Sequence, residues 1–427
     1  MREPQPFWNT SIVALLVTVF SSACGAVAGV TALGYQVWSL THRELDLGLL
    51  GLAEFAPAAL LVLVTGAVAD RFDRVRVTSW GAVLQALAAL ALAAYALGEV
   101  RSLAPIFALV LVFGVGRAFL APAARALPAD VVDARTLPLL TARRGATWQA
   151  AIIVGPVVAG ALYPLGAAVP YFAMAALMAI AAVSVRLVRT LPVPAAENPD
   201  PVTEAAVEAG SGHLEAVPAA RGRLHEAMEG MRFIRSSPIL LGAISLDLFA
   251  VLFGGAVALL PAIATDRLGV GSVGLGWLRA AGGIGAAAVT LVIARRPFTR
   301  HVGPILLVAV AIFGVATIAL GITTIYAVAF VAMLVLSGAD AISVFIRSTL
   351  VPLVTPRDKR GRVNAVESVF IGASNELGAF ESGVVGQVLG APGAIVIGGV
   401  ATLVVAGTYC VAFPSLRRVD AFPGQSS

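Results

Sequence analysis

Eight ionisable residues lie inside otherwise apolar stretches of this sequence, and their types are the ones that could do chemistry there. An ionisable side chain is costly to bury in a lipid bilayer, so each is a candidate for function. None of the eight is a histidine, so a proton held at such a position would be carried by a carboxyl group. The candidate proton carriers are Asp247, Asp340, Glu54, Glu367, Glu376 and Glu381, and the two arginines are Arg117 and Arg279.

The composition is that of a chain with several membrane spans. The 427 residues are 59% hydrophobic and 12% charged, with a mean hydropathy of +0.92, whereas soluble domains have about 25% charged residues. The formal net charge of +5 does not indicate nucleic-acid binding, because the basic residues lie in short loops between apolar runs. Cys24 and Cys410 lie in apolar runs and the histidines in loops, so we expect free thiols and no metal site.

Twelve runs are apolar enough to form helices of about 20 residues, the length that spans a bilayer. The first six cover approximately residues 11–39, 47–69, 77–97, 103–124, 138–162 and 168–188. The second six cover approximately residues 238–263, 272–294, 303–321, 325–349, 363–388 and 392–413. We therefore predict an all-α integral membrane protein with twelve transmembrane helices, and these helices must position the ionisable residues.

The basic residues predict the orientation of the helices. Of the 29 arginines and lysines, 24 lie near the termini or in even-numbered connections, including Arg347 near the end of the tenth run, and three lie in odd-numbered connections. Short cytoplasmic loops carry the excess of basic residues, so we expect both termini in the cytoplasm.

One long connection divides the chain into an N-terminal group of six runs (1–190), a linker (191–236) and a C-terminal group of six runs (237–427). The beginning of the linker is rich in proline and acidic residues, which predicts a flexible segment. Residues 223–235 place four apolar side chains near one helical face, which predicts a short amphipathic helix on the inner membrane surface. The two groups are expected to be internal repeats, because Arg117 and Asp340 lie at similar depths of the fourth and tenth runs.

Two motifs resemble signatures of the major facilitator superfamily. GAVADRFDRVRV (66–77) is similar to its signature for the loop between the second and third helices, and it matches at Gly66, Asp70, Arg71 and Arg74. Val75 replaces the next basic residue of that signature, and Arg76 restores a basic residue one position later. GPVVAG (155–160) is similar to the antiporter signature of the fifth helix, with an alanine in place of one glycine.

A closer resemblance covers nearly the whole chain and is to the bacterial branch that includes the enterobactin exporter. It rests on segments such as ALGYQVWSLT, LGLLGLAEFAP, ATWQAAIIVGP, MRFIRSSPILLGAISLDLFAVLFGG and RGRVNAVESVFIGASNELGAF. That branch contains siderophore exporters and members regarded as drug exporters. The resemblance therefore implies export, whereas substrate identity does not carry over.

The resemblance implies two six-helix bundles with a cavity between them, lined by the first, fourth, seventh and tenth helices. Arg117, Asp247 and Asp340 would surround that cavity. One hypothesis is that Asp340 pairs with Arg117 in one state and that protonation of Asp340 or Asp247 releases a contact between the halves. The alternative is a permanent ion pair that only orients the helices. The further candidates for contact with a substrate are Arg279, Asn375, Trp148, Trp277 and Phe253.

The carboxylates of the second and eleventh helices have two interpretations. Glu54, Glu376 and Glu381 are expected in the outer half of the membrane, where an acidic cluster could share a proton near an outer gate. The alternative is that these carboxylates cap helix ends or bond to neighbouring Asn and Ser side chains. Asn375 belongs to a polar stripe that should face the cavity or the second helix.

The resemblance also implies a role for the segment 66–77, which we call the gating loop. Asp70 would accept hydrogen bonds while the cytoplasmic side is closed, either from the start of a helix in its own bundle or from an arginine near the eleventh helix. The candidate partners are Arg357, Arg360 and Arg362.

Together these observations predict a monomeric, multi-pass transporter of the bacterial inner membrane. It would export a small amphiphilic molecule by alternating access in exchange for protons. The alternatives are a siderophore exporter and a lipid or lysophospholipid flippase. A receptor would need a sensory domain, for which no segment is large enough. No phosphate-binding loop, nucleophile elbow or HExxH motif is present, so we expect neither an enzyme nor a cofactor.

Overall fold

The computed structural model describes residues 9–98, 100, 102–191, 219–356 and 359–422. Within these ranges it describes the backbone alone at Leu63, Asp70, residues 219–227, Ala256, Ala365 and Ser368. The described chain is almost entirely helical, as the composition predicts.

Six helices form the N-terminal half. They are α1 (Thr10–Thr41), α2 (Glu44–Arg71), α3 (Arg74–Leu97), α4 (Ala104–Val131), α5 (Leu137–Leu162) and α6 (Val169–Val185). Local chemistry fixes several ends: Asn9 accepts a hydrogen bond from the Ile12 N–H at 2.8 Å, and Asp73 accepts one from the Arg76 N–H at 2.7 Å. Both bonds satisfy donors that a helix start leaves unpaired. α1 ends at His42, which has a left-handed backbone (φ 48°) and stops the helix.

The C-terminal half is preceded by α7 (Ala219–Ser236), which is not among the candidate membrane spans. The half itself contains α8 (Pro238–Phe253), α9 (Gly271–Arg295), α10 (Val302–Ile322), α11 (Tyr326–Val354) and α12 (Arg360–Ala412), followed by the short helix Pro414–Arg417. Among the described residues, ten helical segments are long and apolar enough to cross a membrane, and α6 is a shorter apolar helix.

α12 is two helices joined at Gly390. Its 53 residues would span about 80 Å if straight, far more than the roughly 30 Å core of a bilayer. The chain breaks the helix at Gly390, whose backbone (φ 72°, ψ 160°) is non-helical, and Pro392 follows two residues later. Glycine adopts this backbone without steric cost, so the break falls where the sequence predicts one, between residues 388 and 392.

The seventh apolar run is less regular than the sequence predicts. We expected one helix over 238–263, but α8 ends at Phe253 and is followed by a 3₁₀ segment (Gly255–Leu259), one short helical turn and a π-helical turn (Ile263–Arg267). Gly254 lies at the break, and close contacts with Phe313 leave no room for a side chain on it. This irregular segment faces the centre of the molecule, where its backbone is covered by protein.

The helices of each half pack mainly among themselves, and two helix pairs join the halves. Within the N-terminal half, α1 packs on α5 and α6, and α3 packs on α4 and α6. Within the C-terminal half, α12 packs on α8 and α10, and α9 packs on α11. The halves meet where α5 packs on α9 and where α2 packs on α12.

The amphipathic helix predicted over residues 223–235 is longer than expected and is docked on protein. α7 begins at Ala219, and its Ile234 is fully buried with Leu240, Val351 and Val363. Glu229 forms an ion pair with Arg362, and the Arg362 carbonyl lies against Gly230. One described face of α7 therefore packs on the C-terminal half, while Met228 is exposed, and contact of this helix with the inner membrane surface stays a prediction.

Candidate functional site

Two connected cavities lie between the halves of the molecule. The larger, of about 570 Å³, is lined mainly by α5, α9 and α11. The smaller, of about 380 Å³, is lined mainly by α1, α2, the segment after α8, α11 and α12, with single residues from α4, α8, α9 and α10. Four residues line both: Val257, Arg279, Ser337 and Asp340. They mark the junction of one central space, which we call the central cavity.

An ion pair between Glu54 of α2 and Arg117 of α4 lies in the smaller part of the central cavity. The carboxyl of Glu376 reaches toward this pair from α12. It lies against Gly51, three residues before Glu54 on α2, where an added Cβ would be 3.1 Å from Glu376 Oε2. Asn375 lines the same space, and its amide nitrogen donates to the carbonyl of Ile371 at 2.8 Å. The structure thus brings together two carboxylates and one arginine from both halves.

Arg279 of α9 has no carboxylate within ion-pair distance among the described residues. Its Nε is buried and has no hydrogen-bond partner there. A cation without a partner in a membrane interior is costly. Because Arg279 lines both parts of the central cavity, its guanidinium is available to an acceptor group that enters the cavity.

A second charged cluster lies behind the cavity wall in the C-terminal half. Arg347 of α11 is 4% exposed and holds Asp247 of α8 at 2.7 Å, with Glu367 of α12 at 3.8 Å. Asp247 shares a void of about 10 Å³ with Asp340, and Asp340 also lines the central cavity. Asp340 therefore connects the buried Arg347 cluster (Asp247, Asp340, Arg347 and Glu367) to the space that a substrate could enter.

Arg347 is the functional candidate that the sequence analysis missed. It was counted with the loop arginines because it lies only two residues before the end of the predicted tenth run at 349. In the structure α11 continues to Val354, and contacts with Asp247 and Glu367 hold Arg347 inside the protein. Only its apolar neighbours could have indicated that Arg347 is buried. These are Ile346, one residue before it, and Leu350, three residues after it, and both are buried.

In this conformation Arg117 pairs with Glu54 within its own half. Asp340, the partner hypothesised for one state of the cycle, lines the same part of the central cavity, and its pairing with Arg117 stays a prediction. Glu54 lies ten residues into the 28 residues of α2, about 15 Å along the helix axis from its first residue, and its role near an outer gate stays a prediction.

Four of the sequence candidates lie outside both the central cavity and the Arg347 cluster. Trp148 and Trp277 are about half exposed and do not line either part. Phe253 stacks on Phe249, with ring centroids 6.4 Å apart, and its carbonyl lies against Gly398 of α12. Glu381 is partly buried on α12 but does not line the cavity. Among the described residues, no group of three or more His, Cys, Asp or Glu side chains could hold a metal ion.

The central cavity is closed at the end where α1 and α5 stop and α2 and α9 start. Two pairs of glycines let helices from opposite halves touch there. A side chain on Gly160 of α5 would meet the Ser272 carbonyl at 2.5 Å, and one on Gly383 of α12 would meet the Gly48 Cα at 2.8 Å. Trp38 completes the closure by donating from its indole N–H to Asp266 at 3.2 Å. From this closed end, the larger part of the cavity extends along α9 and α11 toward the opposite end of the molecule.

The antiporter-like motif GPVVAG forms this closure. Gly155 lies against α1, where a side chain would meet the Cys24 carbonyl at 2.8 Å. Gly160 accepts a hydrogen bond from the Ser272 hydroxyl at 3.1 Å. The two glycines therefore hold α5 between its own half and α9 of the other half.

The gating loop is fastened inside the N-terminal half. Arg74 donates to both carboxylate oxygens of Asp130 at 2.8 Å, which ties the start of α3 to the end of α4. Gly66 lies in the last turns of α2, and Arg71 and Arg76 are exposed. The side chain of Asp70, like the whole of Arg357, lies outside the described residues.

The other two expected partners of Asp70 have bonds within the C-terminal half. Arg360 donates to the Thr355 carbonyl at 3.2 Å, and Arg362 pairs with Glu229. These bonds hold both arginines on the side of the C-terminal half in this conformation.

Comparison with known proteins agrees with this architecture. The family model described as Major Facilitator Superfamily matches residues 7–379. No curated protein sequence matches the chain. A bacterial homologue of the human lysosomal transporter Spinster, solved in an inward-facing, unoccupied conformation, has a TM-score of 0.69 and 13% identity, over 97% of both chains.

Two further solved structures share the fold. The nucleoside transporter NupG has a TM-score of 0.68 and 13% identity, over 95% of this chain and all of the other. A D-xylose–proton symporter has a TM-score of 0.68 and 15% identity, over 95% of this chain and 98% of the other. At these identities the likeness establishes the fold alone.

Proposed function

Because this chain belongs to the Major Facilitator Superfamily, we propose that it exports a small amphiphilic molecule by alternating access in exchange for protons. The family and the transporter structures make it a membrane transporter and not an enzyme. Export follows from the resemblance of GPVVAG to the antiporter signature and of the whole chain to the bacterial exporter branch.

We propose twelve membrane spans for this transporter, with α6 counted as one, α8 and the irregular segment after it as another, and α12 as two. The bundles are residues 1–190 and 237–427, joined by the linker 191–236. The excess of arginines at one end puts that end and both termini in the cytoplasm of a bacterial cell. The transporter is a monomer in the inner membrane.

In this orientation the closed end faces outward and the cavity opens to the cytoplasm. The two main helix contacts between the halves, α5 on α9 and α2 on α12, have glycine crossings near this closed end. Loss of those crossings and approach of the cytoplasmic ends would give the opposite conformation. An exporter would load its substrate from the cytoplasm in the conformation described here.

The observation that carries proton coupling is the position of Asp340, which lines both the central cavity and the void beside Asp247. Asp247, Asp340 and Glu367 are three carboxyl groups around one guanidinium, that of Arg347. Extra negative charge is costly in such a place, so one of these groups is suited to hold a proton. A substrate in the cavity would then compete with that proton through Asp340.

Transport of fluorescent amphiphiles by purified protein in liposomes, with and without an imposed pH gradient, tests this proposal. Wild type should transport faster with the gradient and should release protons when substrate binds. Asp340→Asn and Asp247→Asn should abolish the response to the gradient, whereas Asp420→Asn, a change in a carboxylate beside His301 outside the cavity, should retain it. Intact coupling in both cavity variants would overturn the proposal.

A siderophore exporter is the second candidate, and Arg279 favours it. This arginine lines the cavity without a carboxylate partner, so a substrate with an acidic or phenolate group would supply the missing acceptor. A lipid flippase remains the third, since a phosphate would serve in the same way. Binding of acidic and neutral amphiphiles of matched size to wild type and Arg279→Gln distinguishes these classes from a transporter of neutral compounds.

A further inference from the structure

Two grooves adjoin on the outer surface of the N-terminal half, away from the central cavity. One, lined mainly by α3 and the residues after α6, is polar, and the other, lined by α2, α3 and α4, is apolar. Asp73, Arg76 and Trp80 line both. We call the pair the α3 groove. It lies at the arginine-rich end of the molecule, away from the central cavity and the Arg347 cluster, and it includes part of the gating loop.

The polar part of the α3 groove is basic. Arg76 comes from the start of α3, and Arg186 and Arg189 come from the end of α6. None of the three forms an ion pair with a carboxylate among the described residues. Arg186 is oriented by donating from Nε to the Ser79 hydroxyl at 2.8 Å. Asp73 also lines this part, so its charged lining carries two net positive charges.

The apolar part continues from the basic part toward the bilayer centre. Trp80 is 66% exposed and lies between the two. Leu84 lies eight residues beyond Arg76 on α3, or about 12 Å deeper. The groove is concave because Gly81 and Gly116 meet there: a side chain on Gly81 would lie 2.8 Å from the Gly116 carbonyl.

Along α3, the arginines come first, then Trp80 and then the apolar wall. A phospholipid has the same order, from its charged headgroup to its acyl chains. Arginine binds phosphate with two or more parallel hydrogen bonds. Tryptophan favours the level of the lipid headgroups. Basic pockets between helices at the cytoplasmic side are suited to anionic headgroups.

We propose that the α3 groove is a binding site for one anionic glycerophospholipid of the inner leaflet. Its phosphate is held by Arg76, Arg186 and Arg189, and an acyl chain lies along Trp80, Gly81 and Phe119. The site is independent of the transported substrate, because no residue of the groove lines the central cavity. It would fasten α3 to α6 through a ligand, beside the gating loop.

Quenching of Trp80 by lipids with brominated acyl chains tests the proposal on the full-length protein. The Trp80 signal is the difference between wild type and Trp80→Phe, measured in mixed micelles with brominated phosphatidylglycerol or brominated phosphatidylcholine. We expect phosphatidylglycerol to bind about fivefold more tightly, since juxtamembrane arginines each favour anionic lipid. Inorganic phosphate at millimolar concentration should not compete, because it lacks the acyl chain.

In the triple variant R76Q/R186Q/R189Q, the ratio of the affinities for phosphatidylglycerol and phosphatidylcholine should fall close to one. Phosphatidylcholine should still quench Trp80, which reports that the groove is folded. The matched control R295Q/R296Q/R300Q removes three exposed arginines from the corresponding loop of the C-terminal half and should leave the preference unchanged. Equal quenching by the two lipids in wild type would overturn the proposal. An equal loss in both triple variants would also overturn it, because the preference would then reflect overall charge.

Discussion

Arg347 of α11 holds the carboxylate of Asp247 at 2.7 Å and lies 3.8 Å from that of Glu367, so one buried guanidinium joins three helices of the C-terminal half. Removal of one member of a buried ion pair leaves an unpaired charge, which typically costs about 3–5 kcal/mol. The two members are not equivalent here, because Arg347 has a second carboxylate and Asp247 has no second arginine within the part of the chain that the structure describes.

We therefore predict that Arg347→Gln destabilises the protein much more than Asp247→Asn. The first change leaves two carboxyl groups without a cation, whereas in the second Arg347 retains Glu367. Thermal unfolding in detergent, followed by light scattering or cysteine reactivity, measures the difference. Asp420→Asn serves as the control for loss of an exposed carboxylate. Equal loss of stability in both variants would mean that Glu367 does not share the arginine.

Much of this fold could be predicted from the sequence, because the length of apolar runs is set by the bilayer. The break at Gly390 and the start of α9 fall close to the predicted places for that reason. The Arg347 cluster could not be predicted. Asp247 and Arg347 are 100 residues apart in the sequence. Only tertiary packing decides which arginine near the end of an apolar run is buried.

The aromatic candidates were chosen by residue type, which says nothing about the direction of a side chain. Trp148 and Trp277 therefore lie outside the cavity, whereas Arg279, two residues from Trp277, lies within it. Helical period separates the two positions, since residues two apart face in different directions. The break at Gly254 could not be predicted either, because glycines such as Gly254 and Gly255 are common in membrane helices.

The charges of Glu54 and Arg117 should matter more for transport than for the stability of the fold. The side chain of Arg117 is 49% exposed to the cavity and that of Glu54 only 12%, so Glu54→Gln, which leaves the exposed arginine, should change stability by about 1 kcal/mol or less, whereas Arg117→Gln leaves a largely buried carboxylate and should cost more. Transport should fall more strongly, because both residues line the space that the substrate enters. Parallel measurements of unfolding temperature and liposome transport for Glu54→Gln, Arg117→Gln and the double variant check this. A non-additive transport effect is expected; simple additivity would contradict a functional pair.

The contact of Trp38 with Asp266 should stabilise the closed outer end. The indole donates to a carboxylate from the other half at 3.2 Å, and loss of such a bond is worth about 1 kcal/mol, or about a fivefold change in population. Asp266→Ala removes the half-exposed acceptor and leaves the buried Trp38 side chain in place. Spin labels at Leu165 and Ile325, both exposed near this end, should then report a larger fraction of long distances by pulsed electron resonance. An unchanged distance distribution would show that the bond does not bias the conformation.

The glycine crossing of α5 with α9 provides the most stringent prediction. A Cβ on Gly160 would lie 2.5 Å from the Ser272 carbonyl, and one on Gly276 would lie 2.5 Å from the Pro156 carbonyl. Backbone atoms cannot turn aside as a flexible side chain can, so Gly160→Ala and Gly276→Ala must separate the helices, at a cost of about 2 kcal/mol. This crossing forms only when the outer end is closed, so both variants should favour the outward-open conformation.

Gly145→Ala on the same helix α5 is the matched control, because a Cβ there has no atom within 4 Å. The Leu165–Ile325 label pair should lengthen in the two crossing variants and remain unchanged in the control; a shift in the control as well would trace the effect to α5 itself, and no shift in any variant would show that the halves do not separate at this crossing.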